Sequence, residues 1–350
     1  MSGDAVHSAS RLLPAAPDQL PRTTRARALA GFRSHWAVAL TALLCAWSGI
    51  WLAVWLMVLS ALLGGLLGFF EAALGGGTIG GGLGGGVLAV AGGAVSGIAQ
   101  TLGSTLQALI IDQPLQLLAA VAGGLAVSLA ALVGGTAFEP WLLRLRGCRR
   151  LSRREAARVM PLVESAARDL GLAELPQVLS ADGGSLRVRV QACHLVIGRG
   201  LLEELGDDDL ADHALGAVIC HGLFHWGVGD GMGSRLVLAC GLPLALVYNA
   251  GCWLAQQGNS LIALAGWAIL WPAWLMVRLV IRPLTAMSSR HREYAADAAV
   301  LATGRGAALH RALSFLGELE PGRSGWDRAL AATHPPLELR LEALEPEAGG

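Results

Sequence analysis

Residues 214–230 read ALGAVICHGLFHWGVGD, and they hold two histidines, His221 and His225, four positions apart. The run is apolar and free of proline, so it reads as a buried helix from Ala211 to about Gly227. On a helix, positions i and i+4 share one face a turn apart. The two imidazoles therefore stand together, as two ligands of one metal ion would. With nine histidines in 350 residues, such a pair on its own is ordinary. Its weight depends on what the rest of the chain supplies.

The spacing is also the frame of the HExxH motif, in which a glutamate after the first histidine is the general base of metal-assisted hydrolysis. Here that position is Gly222. No neighbour replaces it by spacing. Asp230 lies beyond the second histidine, Asp207–Asp209 lie more than two helical turns upstream, and Cys220 points to another face.

A second segment, SSRHREYAADAAVLATG at 288–304, places Glu293 and Asp297 four apart, again on one helical face. A carboxylate from a second helix is what a His-His helix lacks for a catalytic zinc, which takes three protein ligands and keeps one position open. Alone, Glu293 beside Arg290 and Arg292 reads as a solvated or salt-bridged surface residue rather than a ligand.

Composition sets the surroundings. Hydrophobic residues are 54% of the chain, charged residues 15%, and the mean hydropathy is +0.53, where soluble domains carry about 25% charged residues. The 26 basic and 26 acidic residues balance, so no global field favours nucleic acid. Six cysteines form no CxxC pair and imply neither a disulfide framework nor a redox motif.

Residues 1–35, with three prolines and five arginines, read as a disordered basic tail. The region 36–140 is membranous, with spans expected near 36–58 and 114–138. Between them lies a Gly-rich segment, 75–98, which reads either as a membrane-apposed loop or as a close-packed helix through which copies of the chain could assemble. The arginines from Arg144 to Arg158 belong on the cytoplasmic side with the tail. Two crossings satisfy that, or four if the Gly-rich region adds a pair. Residues 141–350 form the remaining domain, interrupted by a membrane hairpin at 236–281. Within it, 150–233 look soluble, with a helix ending near Gly171, a strand at Leu186–Val190, a short helix at LLEEL, and acidic caps at Asp207–Asp209. The chain from Pro283 onward is amphipathic and helical. The fold class is mainly α, a multi-span helical membrane protein carrying an α+β lobe.

The order HxxxH, membrane hairpin, SRHREYAAD, then Thr333-His334-Pro335-Pro336 with Arg340 resembles the HtpX-like membrane zinc metallopeptidases, a family that includes the CAAX prenyl proteases. Leu201-Leu202 and Asp230 also fit its pattern, and the resemblance covers about 150–345. It implies a gluzincin-like fold, one zinc ion held by His221, His225 and Glu293, and Asp230 and Asp297 orienting those ligands. His334 and Arg290 fall near the site. The strand around Val188–Val196 becomes the edge on which a peptide adds. The implied partners are a polypeptide or membrane-protein substrate and the lipid bilayer, with no nucleic acid. The implied location is the plasma membrane, multi-pass, with the N-terminus and metal site cytoplasmic. Gly222 and Ala214 depart from the pattern, and Gly222 removes the base. The expectation is an impaired zinc metalloendopeptidase. The alternatives are a pseudopeptidase acting as a membrane adaptor or substrate-binding module, or a glycine-zipper assembly protein with a vestigial metal site.

Overall fold

The computed structural model describes residues 20–21, 23–47, 114–206, 208–256, 274–319 and 334–345. The Gly-rich segment 75–98 and residues 257–273 of the expected membrane hairpin lie outside the described residues. Two compact units are present. The first comprises Met1–Ala39, Ala131–Ala239 and Arg282–Gly350, and the second Leu40–Ala130 and Cys240–Ile281.

Helix α1, Thr24–Trp47, begins well before the expected start at Trp36. Residues 24–35, assigned by composition to a disordered tail, are its first turns. The reason is local. Beyond Pro21 the chain is rich in Ala, Arg and Leu, all good helix formers, and Thr23 Oγ1 accepts a hydrogen bond from Ala26 N at 3.2 Å. The apolar stretch 114–138 is α2, Pro114–Ala137, and after Phe138 the chain bends by 68° into α3, Glu139–Leu145. Among the described residues, one helix (Thr24–Ala46) is long and apolar enough to cross a membrane, and up to three spans result if two bent helix pairs each count as one. One of those pairs covers the first arm of the expected hairpin. It is not a single helix but α7, Asp230–Cys240, and α8, Leu242–Ala255. Gly241 and Pro243 stand at the break, where proline supplies no backbone N–H. In the second unit, Ala46 and Leu244 pack with Cys45, Met276 and Ile281. A π-helical turn, Val277–Ile281, precedes α9, Arg282–Ala302.

The first unit is built on a four-stranded sheet of β1 (Cys148–Arg150), β2 (Gln177–Ala181), β3 (Val188–Val190) and β4 (His194–Gly198), in the order β1-β2-β4-β3. Strands β2 and β4 are parallel. The β1/β2 and β3/β4 pairs are antiparallel, so β3 is an edge, with Val188 opposite Ile197. Strand β4 is buried throughout, and its alternation divides two cores. Leu195 and Ile197 join Leu215, Ile219 and Leu223 of helix α6 (Asp209–Gly227), whereas Val196 joins Leu143 of α3 with Cys148, Leu179 and Ala181. Each fully buried Leu or Ile in the larger core contributes about 1.5–3 kcal/mol.

Helices α4 (Arg153–Asp169), α9 (Arg282–Ala302), α10 (Gly306–Leu319) and α11 (Leu337–Leu344) complete the larger core, and the short α5 (Arg199–Glu204) precedes α6. Helix α4 opens with a capping box, in which Ser152 and Glu155 each satisfy the other's backbone N–H. Gly171, with φ +67°, follows its end. Helix α6 is capped by Asp208, whose Oδ1 accepts from Ala211 N at 2.6 Å. Its far end turns at Gly229, whose φ is +83° and where a Cβ would lie 2.0 Å from the Arg27 carbonyl oxygen of α1. Only glycine fits there. The turn brings Asp230, the first residue of α7, back alongside His225.

Candidate metal centre

His221 and His225 project from α6 toward Glu293 of α9, and their ligand atoms lie within 4.8 Å of one another. The three separations are nearly equal. His221 Nε2 is 3.2 Å from His225 Nε2, Glu293 Oε2 is 3.3 Å from His221 Nε2, and Glu293 Oε1 is 3.4 Å from His225 Nε2. A tetrahedral site with bonds of about 2.0–2.1 Å has edges of about 3.3–3.4 Å, so the donor set already has the dimensions of a zinc site.

The chemistry of the donors agrees with the distances. His225 Nδ1 lies 2.6 Å from Asp230 Oδ2, and His221 Nδ1 lies 3.0 Å from Asp297 Oδ1. A carboxylate beside Nδ1 holds the proton on that nitrogen and turns the Nε2 lone pair inward. Two lone pairs and a carboxylate then meet, and only a positive charge satisfies all three. Burial works against a charged His225, but Asp230 and Glu293 outweigh it and lift its pKa to about 9. The field that favours a proton there favours a cation as well, and metal uptake displaces the proton.

Around the donors runs a charged shell. Arg340 of α11 grips Asp297 with two hydrogen bonds of 2.7 Å and lies 3.3 Å from Glu293 Oε2. His334 Nδ1 is 2.9 Å from the same oxygen. Arg292 Nε is 3.3 Å from Asp230 Oδ1. Burial would raise the Glu293 pKa, yet His221, His225 and His334 hold it far below the usual carboxylate range. Asp297 is likewise lowered, burial being outweighed by His221 and Arg340. Both carboxylates stay ionised.

The structure therefore brings together His221, His225, Glu293, Asp230, Asp297 and His334. Arg290 is half-buried on α9, where its charge acts on the Tyr294 hydroxyl. Spacing alone assigned no role to Arg292 or Arg340. The signal for Arg340 was its place six residues after His334.

Residues 184–348 match the profile of peptidase family M48. The match covers 165 of the 350 residues, a little under half of the chain. Two similar relatives carry the name "Protease HtpX homolog". The one from Chlorobium limicola is 24% identical over 259 residues, covering 67% of this chain and 87% of that protein. The one from Salinibacter ruber is 25% identical over 263 residues, covering 65% and 89%. A crystal structure of Ste24p from S. mikatae aligns at 18% identity with a TM-score of 0.44, over 71% of this chain and 65% of that one.

Within the matched residues, Gly222 faces the edge strand. A Cβ there would lie 2.8 Å from Val188 Cγ1 and 3.3 Å from Leu195 Cδ1. The position between the histidines is thus filled from β3, a contact that no spacing along α6 could reveal. Cys220 is fully buried with Sγ 3.9 Å from Thr303 Oγ1, and burial pushes its thiol up to about 11. It takes no part in the centre.

Proposed function

We propose that this chain is an integral-membrane, metalloprotease-like protein of the HtpX type. Its M48 domain holds one zinc ion through His221, His225 and Glu293 and receives a polypeptide or membrane-protein segment. The observation that carries this reading is the near-equilateral set of two imidazole lone pairs and a carboxylate, with edges of 3.2–3.4 Å. When bound, zinc polarises a substrate carbonyl and acidifies water. The chain's own residues do the rest: Asp230 and Asp297 fix the histidine tautomers, and Arg340 fixes Asp297 and balances its charge.

As written, the site is impaired in hydrolysis, because Gly222 offers no proton acceptor. General acid–base groups contribute about 10²–10⁴-fold. Metal content of the purified full chain, read by elemental analysis beside H221A and E293Q, tests the zinc assignment. One zinc per parent chain and none in the variants is the expected result, and a zinc-free parent protein would sink it. Casein cleavage by the parent chain at the rate of a metal-stripped control marks the impairment.

The packing at Val188 favours a second reading. A base position filled by a neighbouring side chain suits a protein that binds polypeptide without cutting it, as a membrane adaptor. Zinc content with retained peptide binding and no cleavage, even after a base is restored, would select it. The plasma membrane as location, with the N-terminus and metal site in the cytoplasm, belongs to the same proposal and rests on the arginines of Arg144–Arg158.

A further inference from the structure

Helix α3 is only seven residues long, Glu139–Leu145, and it follows the apolar α2 across a 68° bend. At 1.5 Å per residue it extends about 10 Å, too short to carry a span onward. Its inward face is fully engaged. Leu143 is buried against Cys148, Leu179, Ala181 and Val196 of the sheet. Glu139, with no exposed surface, accepts from Cys193 N at 3.1 Å and from His194 Nδ1 at 2.6 Å, and pairs with Arg235 at 2.7 Å. These contacts fix the rotation of the helix.

That rotation leaves the opposite face bare. Phe138, Trp141 and Leu145, at i, i+3 and i+7, are 63%, 57% and 66% exposed. Arg144 lies in α3, Arg146 caps it, and Arg150 and Arg153 follow within eight residues of its end; all four are exposed and without an ion pair among the described residues. Arg149, their neighbour in sequence, is neutralised by Glu155 and Asp182, so an unpaired arginine is not the rule in this stretch.

We propose that α3 lies along the membrane surface as a docking site for anionic lipid headgroups. Phe138, Trp141 and Leu145 enter the acyl boundary, and Arg144, Arg146 and Arg150 bind the phosphates. Three features of the chain select this occupant. An aromatic with an amphipathic ring sits where apolar helix gives way to polar chain, as tryptophans do at membrane interfaces. Unpaired arginines immediately after an apolar helix complement an anionic leaflet. The bend at Phe138 turns the short helix away from the axis of α2. Because Glu139 is bonded to β4, the lipid contact bears on the sheet that carries the metal centre's edge strand.

The test uses the full chain reconstituted into bilayers containing brominated phosphatidylglycerol or, separately, brominated phosphatidylcholine at equal mole fraction. Bromine quenches tryptophan at short range, and subtracting the same measurement on W141F isolates Trp141 among the eleven tryptophans. The expected result is quenching about fivefold more effective with the anionic lipid, the preference that one arginine near a charged surface provides. It falls to parity in R144Q/R146Q/R150Q and in parent protein at about 1 M salt, where the Debye length is about 3 Å. The salt arm holds even if the triple variant fails to fold. Equal quenching by both lipids in the parent protein overturns the proposal, since the contact would then be apolar only. Absence of quenching overturns it as well and gives the face to water or a protein partner. A preference that survives both neutralisation and salt removes the arginines as its source.

Discussion

A Cβ built on Gly222 would lie 2.8 Å from Val188 Cγ1, closer than two carbon atoms tolerate. Valine is stiff about χ1, so clearing the contact requires a change of rotamer at Val188 or a shift of strand β3. The glycine between the histidines and the valine on the edge strand are therefore one feature. G222E alone is expected to lower stability by about 1–3 kcal/mol, the range for overpacking a core, and to restore little cleavage. V188A/G222E, which relieves the contact, should recover thermal stability and show the larger gain in casein hydrolysis. Melting temperature and cleavage rate of the two variants decide it. If G222E matches the parent's stability, Val188 is not the obstacle.

Asp297 touches His221 on one side and is gripped by Arg340 on the other. D297N keeps the shape but loses the charge, and a weakened histidine partner of this kind costs about 10–100-fold in metal affinity. D297A goes further and leaves Arg340, which is 7% exposed, with Glu293 as its remaining carboxylate, so the loss is expected below the roughly 3–5 kcal/mol of a fully unpaired buried charge. Chelator competition reads the first effect and thermal unfolding the second. The diagnostic pattern is a modest stability loss in D297N with a large affinity loss, against a larger stability loss in D297A.

The contrast between these two pairs shows what the chain's letters reveal. His221 with His225 and Glu293 with Asp297 are i,i+4 repeats on helices, so their shared faces follow from helical geometry alone. The Asp208 cap, the end of α4 near Gly171 and the strand at β3 are equally local. Val188 against Gly222 and Arg340 against Asp297, 43 residues apart, depend on how the sheet and the last helix fold over α6, which no periodicity encodes. The start of α1 was misplaced for the opposite reason. Charge in 24–35 suggests a tail, whereas Arg and Ala extend a helix well beyond its apolar portion.

Glu155 provides a pH signature away from the metal centre. Hydrogen bonds from Arg149 hold its pKa down to about 2, from an ordinary 4.5. A carboxylate depressed in the folded state stabilises it above the unfolded pKa, and that stability is lost as pH falls through the folded one. The contribution is thus complete above about pH 4.5 and disappears toward pH 2. Because Arg149 is 36% exposed, the effect is screened and amounts to about 1 kcal/mol. Unfolding measured from pH 6 to 2 should show a steeper acid limb in the parent protein than in E155Q. Parallel curves would mean that the pair contributes nothing.

Zinc itself should act as a stabilising ligand, and the magnitude distinguishes a structural fit from loose surface binding. A ligand that binds only the folded state contributes RT ln(1 + [L]/Kd), about 2.7 kcal/mol at a free concentration a hundred times Kd. The donors come from α6 and α9, which both belong to the larger core, so the ion ties together two helices that separate on unfolding. Chelation of the parent protein is expected to lower its melting temperature and zinc to restore it, with the shift growing with the logarithm of free zinc. E293Q removes the α9 donor while preserving its shape, and its melting temperature should be indifferent to zinc. A zinc-dependent shift of equal size in E293Q would place the bound metal elsewhere on the chain and remove Glu293 from the ligand set.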